Sequence, residues 1–147
     1  MTSRLSTIAE DLAERLSRQS AGRLRRVAAA AAGLAVERTQ LADPRLDAAL
    51  AAVRDGDPAA VAELSQVLAL TEELDEIAWD AQEQAQAGVL PEQAYLAAFA
   101  LARAAASVGF ALEPDALHAA LESVYEAQAA VADLEAVRVA VAAALAD

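Results

Sequence analysis

Apolar side chains recur every three or four positions along almost the whole chain, interrupted at a few points marked by Pro or Gly. Leu5, Ile8, Leu12 and Leu16 share one face of a first helix, and Leu24, Val27, Ala31, Leu34 and Leu41 one face of a second. Leu46, Leu50 and Val53 mark a short third, and Val61, Leu64, Leu68, Leu74, Ala78, Ala81 and Ala85 a long fourth. Tyr95, Phe99, Ala102, Ala106 and Phe110 mark a fifth, and Leu117, Leu121, Val124, Val131, Leu134, Val141 and Leu145 run on to the C-terminus. A repeat of 3.6 residues belongs to amphipathic helices, and no stretch alternates with the period of two that a half-buried strand requires. The expected fold is all-α: a compact single-domain bundle of six or seven helices over residues 1–147, Ala-rich and without a sheet.

The punctuation supplies the boundaries. Asp43-Pro44, Asp57-Pro58 and Glu113-Pro114 each place an acid before a proline. An Asp at the N-cap accepts a free N–H of the first turn, and proline at the next position lacks only a donor the helix does not use. Leu90-Pro91 marks a fourth start without a good cap, while Gly56, Gly88 and Gly109 are expected stops. Residues 41–50 and 111–121 resemble each other, and a shared capping grammar accounts for that better than a duplicated half, because no fixed repeat period accompanies it.

Length sets a further constraint. A domain of this size is roughly 38 Å across, whereas a helix from Pro58 to Ala87 would run about 45 Å and one from Pro114 to Ala146 further still. Each is expected to bend, break or protrude. Asp133 is the natural cap for a separate C-terminal helix over 134–146, and Thr71 is a weaker break point.

Composition sharpens the picture. Forty-four of 147 residues are Ala, every basic side chain is Arg, and there is no Cys. Ala has the highest helix propensity and lets helix axes approach closely. The usage is in the style of GC-rich bacterial genomes. Without Cys, neither disulfides nor thiolate chemistry arises. The N-terminal segment has no apolar stretch of signal-peptide type and no segment reads as a membrane span, since Arg103 interrupts the Ala94–Leu112 run. A soluble, cytoplasmic protein is the expectation.

The formal charge of −12 is unevenly spread. Residues 1–45 carry eight Arg and five acids, a net of +3; residues 46–147 carry three Arg and eighteen acids, a net of −15. The densest run is Glu72, Glu73, Asp75, Glu76, Asp80 and Glu83, in which Glu72, Glu76, Asp80 and Glu83 stack on one helical face. Arg15, Arg18, Arg23, Arg25 and Arg26 form the basic counterpart. A helical carboxylate metal site pairs Glu with His at i+3, but the single His, His118, has only Glu122 at i+4. No metal or other cofactor is therefore expected. P-loop, G-x-G-x-x-G, G-x-S-x-G and H-E-x-x-H motifs are all missing, which argues against the common cytoplasmic enzyme classes.

These features lead to a non-enzymatic acidic protein-interaction module of adaptor, inhibitor or immunity type. Glu72, Glu76, Asp80 and Glu83 would face another protein with a basic surface; self-association into a homo-oligomer is a further option. One alternative is a small-molecule-binding or catalytic bundle with Trp79, Tyr95, Phe99, Tyr125 and His118 around an internal pocket. Against it, a lone Trp in an Ala-rich bundle more often fills the core, so Trp79 is expected inside. The second alternative is a nucleic-acid-linked regulator using the N-terminal Arg helices. The absence of aromatics from residues 1–78 and the acidic total count against nucleic acid.

Overall fold

Why the chain breaks where it does is visible at its caps. A computed structural model describes residues 3–56 and 61–146. After a 3-10 turn at Leu5–Thr7 come α1 (Glu10–Ser17), α2 (Ala21–Thr39), α3 (Pro44–Asp55), α4 (Val61–Gln86), α5 (Glu92–Ala111), α6 (Ala116–Val131) and α7 (Leu134–Leu145). There is no strand among the described residues, and the protein is an all-α bundle.

Ser20 caps α2 and Asp43 caps α3, its Oδ1 accepting the Arg45 N–H at 2.9 Å with Pro44 at the first helical position. Asp133 starts α7, accepting the Ala136 N–H at 3.1 Å, so the long C-terminal apolar run does break there. The residue before that break, Ala132, sits at φ +55, a left-handed conformation that costs a non-glycine residue roughly 1–2 kcal/mol. Gly56 ends α3 at φ +67, where glycine takes the same conformation without that cost.

Several sequence expectations shift. The α6 start is not Glu113-Pro114: Asp115 is the cap, accepting the His118 N–H at 2.8 Å, and Pro114 lies outside the helix. Gly109 does not stop α5, which runs on to Ala111. Gly109 is buried there, and a Cβ at this position would lie 3.6 Å from Val67, so its small size lets α4 pass closely. Leu5 to Leu16 is not one helix, and Ile8, between the 3-10 turn and α1, is exposed. The Asp57-Pro58 start lies outside the described residues. α4 does not break at Thr71, whose hydroxyl instead donates to the Val67 carbonyl at 2.8 Å.

The core is built from small side chains. Ala31, Ala32, Ala35, Ala49, Ala104, Ala105, Ala119, Ala120 and Ala127 are wholly inaccessible, and no aromatic residue is buried. Two apolar clusters share α2 as a wall. On one side Val27, Ala31 and Ala35 meet Leu5, Leu12, Leu16, Val124 and Val137; on the other Ala28 and Ala32 meet Leu46, Val53, Val67, Leu70 and Val108. Between α5 and α6, Ser107 and Ser123 exchange hydrogen bonds, each hydroxyl donating to the other's carbonyl at 2.8 and 3.0 Å. Hydroxyls this small satisfy one another without separating the helices.

α5 packs against α2, α4 and α6. By length and composition it is apolar enough to cross a membrane, with a mean hydropathy of 1.5 over its best stretch, and Arg103 sits within it. In the bundle that apolarity serves packing, for Ala102 and nearly every residue from Ala104 to Ala111 are buried. No residue from Glu92 to Leu101 is. The first half of α5 and the second half of α4 thus form a hairpin arm standing clear of the core, which is how α4 accommodates its length.

Candidate functional site

Two regions hold the polar groups that the fold does not consume. The first is a cleft between α4, α5 and α6, closed at one end by the N-terminal segment. Its cavity is about 500 Å³. Leu68, Thr71 and Asp75 come from α4, Arg103, Ala106, Gly109 and Phe110 from α5, and His118, Glu122 and Glu126 from α6. Arg4 and Glu113 complete the wall. The α6 residues stand at i, i+4 and i+8, a polar stripe along one face.

The organising group is Glu126, only 2 % exposed. It accepts from Arg4 Nη2 at 2.8 Å through one oxygen and from Arg103 Nη1 at 2.9 Å through the other. Arg4 also donates to Glu122 through Nε, at 2.8 Å, and Nη2. Arg103 also donates to Asp75 at 2.6 Å through Nη2. Its Nε is buried without a partner among the described residues. Burial pulls the proton affinity of both guanidiniums down, but hydrogen bonds and charge from Glu122, Glu126 and Asp75 outweigh it, and both pKa values lie above the ordinary arginine value. Both therefore carry full charge. Aromatic faces complete their settings: Arg4 lies 4.4 Å from the Tyr125 ring centroid and 5.7 Å from that of Phe110, and Arg103 lies 5.6 Å from that of Phe99. These are cation–π distances.

The second region is the outer face of α4. The six acids of the run from Glu72 to Glu83 divide into two groups. Glu73 pairs with Arg45 at 2.6 Å and Asp75 with Arg103. Glu72, Glu76, Asp80 and Glu83 are exposed and have no cationic partner among the described residues; Asp80 accepts only from Gln84, at 3.0 Å. Trp79, at i+3 from Glu76 and i−4 from Glu83, shares their face and is 65 % exposed. It does not fill the core, whose fully buried positions are held mostly by Ala, Val and Leu. Ile77, Val89 and Leu96 are further exposed apolar residues on this arm.

The five residues considered for an internal pocket are thus dispersed. His118 lines the cleft, its ring edge-on to Phe110 with centroids 5.9 Å apart. Tyr125 and Phe99 lie beneath the two guanidiniums. Tyr95 packs on Phe99 at 6.1 Å and borders a small depression with Gln82 and Glu92. Trp79 lies exposed on the acidic face of α4 and lines neither the cleft nor that depression. Sequence reasoning missed Arg4, Arg103 and Glu126 as a unit. The available signals were the His118–Glu122–Glu126 spacing and a single Arg in the most apolar helix.

The N-terminal Arg cluster also divides. Arg25 donates to the carbonyls of Ala111, Glu113 and Pro114, and Arg26 to that of Ala144 at 3.4 Å, satisfying the ends of α5 and α7. Arg15, Arg18 and Arg23 are exposed. No three potential metal ligands converge among the described residues. No family model matches the chain, and no curated protein or solved structure matches it.

Proposed function

We propose that the chain is a non-enzymatic protein-interaction module, an adaptor, inhibitor or immunity-type protein that engages a basic partner through the outer face of α4. The observation that carries this reading is the division of the acidic run. The fold neutralises Glu73 and Asp75 and leaves Glu72, Glu76, Asp80 and Glu83 without a cationic partner among the described residues, around an exposed Trp79. Like charges at i+4 cost a helix roughly 0.2–0.5 kcal/mol per pair, a cost that a basic surface docking here would relieve. Tryptophan is enriched among residues that dominate binding energy, and surrounding charges mainly steer encounter. An exposed Trp ringed by carboxylates supplies both parts.

Affinity purification from the source cell at low salt, followed by mass spectrometry, tests the reading. A single partner with a basic surface is expected to be retained, to elute as salt rises, and to be lost with Glu76→Lys/Asp80→Lys and with Trp79→Ala. Retention unchanged by these substitutions, or no partner at all, overturns it. A nucleic acid held through Arg15, Arg18 and Arg23 would overturn it in favour of the basic end. A second copy of the chain would register as a dimer in sedimentation.

A further inference from the structure

The cleft over Ala106, Gly109 and Phe110 has no part in that reading. Its wall is charged in an uneven way: Asp75, Glu113, Glu122 and Glu126 face only Arg4 and Arg103. The four carboxylates outnumber the two guanidiniums by two, and low-dielectric walls focus such a field. Both guanidiniums already hold carboxylates, Arg4 those of Glu122 and Glu126, Arg103 those of Glu126 and Asp75. An incoming anion finds only Arg4 Nη1 and the buried Arg103 Nε uncommitted among the described residues, and it meets the surplus of carboxylates. An incoming cation displaces nothing. Glu122 Oε1, Asp75 Oδ2 and the whole Glu113 carboxylate accept no hydrogen bond from the described residues.

The site already displays the recognition in question. In its wall a planar cation, the Arg4 guanidinium, is held by two carboxylates with the Tyr125 and Phe110 rings against it. Beyond it the cavity continues over an apolar floor, at a volume typical of small-molecule sites. A bare metal ion fits poorly, because the acids line the walls without converging. A neutral apolar molecule would desolvate carboxylates and give them nothing in return.

We propose that the cleft binds a small organic cation, its apolar body over Ala106, Gly109 and Phe110 and its ammonium group against Glu113 and Glu122. This would be a second, independent site, since neither Glu113 nor Phe110 belongs to the outer face of α4.

Titration of the labelled protein, followed by NMR, tests it with four probes: 2-phenylethylamine, 2-phenylethanol, phenylacetate and magnesium. The amine is expected to give saturable shifts at Gly109, Phe110 and His118, with a dissociation constant on the order of 0.1–1 mM. The alcohol, phenylacetate and magnesium should each bind at least about tenfold more weakly. Glu113→Gln breaks no ion pair of the fold and should weaken the amine about fivefold or more, while Trp79→Ala leaves it unchanged. No saturable shift with the amine, equal binding of the alcohol, tighter binding of phenylacetate or magnesium, or indifference to Glu113→Gln would each overturn the proposal. None of these outcomes bears on the outer face of α4.

Discussion

A buried carboxylate survives in an apolar bundle only when its charge is answered, and Glu126 is answered twice. Arg4 comes from one side and Arg103 from the other. Removing it leaves Arg103, whose side chain is only 19 % exposed, with Asp75 alone. Breaking a buried pair by deleting one partner strands the other charge. Glu126→Ala is accordingly expected to destabilise the protein by about 3 kcal/mol in urea unfolding, and Glu126→Gln by less, because the amide oxygen still accepts a hydrogen bond. Little of this was legible in the sequence. A Glu four residues from another Glu on a helix reads as a solvated stripe, since a linear pattern does not show which distant Arg will reach it. Arg4 and Glu126 are 122 positions apart.

Elements were far more legible than partners, and the failures share a cause. Asp43 and Asp133 were readable as caps because an Asp before a helical run has one dominant use. Glu113-Pro114 misled by two positions because Asp115 competes for the same role and makes the shorter cap. Gly109 misled because glycine marks either an ending or a close helix crossing, and only the neighbour, here Val67, decides. Trp79 misled for the opposite reason. Bulk normally seeks the interior, but here the buried positions are taken by alanine, valine and leucine and the indole lies outside. Trp79→Ala should therefore change unfolding free energy by less than about 1 kcal/mol. Folded-state Trp emission should lie close to that of the urea-unfolded chain. A strongly blue-shifted native spectrum would contradict the exposed position on α4.

At the scale of the whole molecule, charge pairs connect segments far apart in sequence. Asp11 meets Arg138 at 2.8 and 3.0 Å, and Asp43 and Glu73 share Arg45. The Arg138 hydrogen bonds hold the Asp11 carboxyl below its ordinary value of 3.8, and those of Arg45 do the same for Asp43. A carboxylate whose pKa is depressed on folding contributes stability above its ordinary pKa and loses it as pH falls through the depressed one. Thermal unfolding should therefore shift to lower temperature as pH drops below about 4, and Arg138→Gln should flatten part of that slope. Asp11 is exposed and Asp43 only half-buried, so the effect is small and weakens with added salt. The charge asymmetry itself was plain from composition. How the fold spends its Arg was not, because Arg25 and Arg26 donate to carbonyls, and of the acids in the α4 run only Glu73 and Asp75 gain an Arg among the described residues.

The bond from Arg4 to Glu122 closes a span of 118 residues. On a ribosome adding roughly 5–20 residues per second, Arg4 emerges about 6–24 seconds before its carboxylate exists. Leu5, wholly buried in the finished protein, waits equally long for Val124. The turn at Leu5–Thr7 thus takes its final place only after α6 exists, and until then Leu5 lacks the α6 part of its apolar cover.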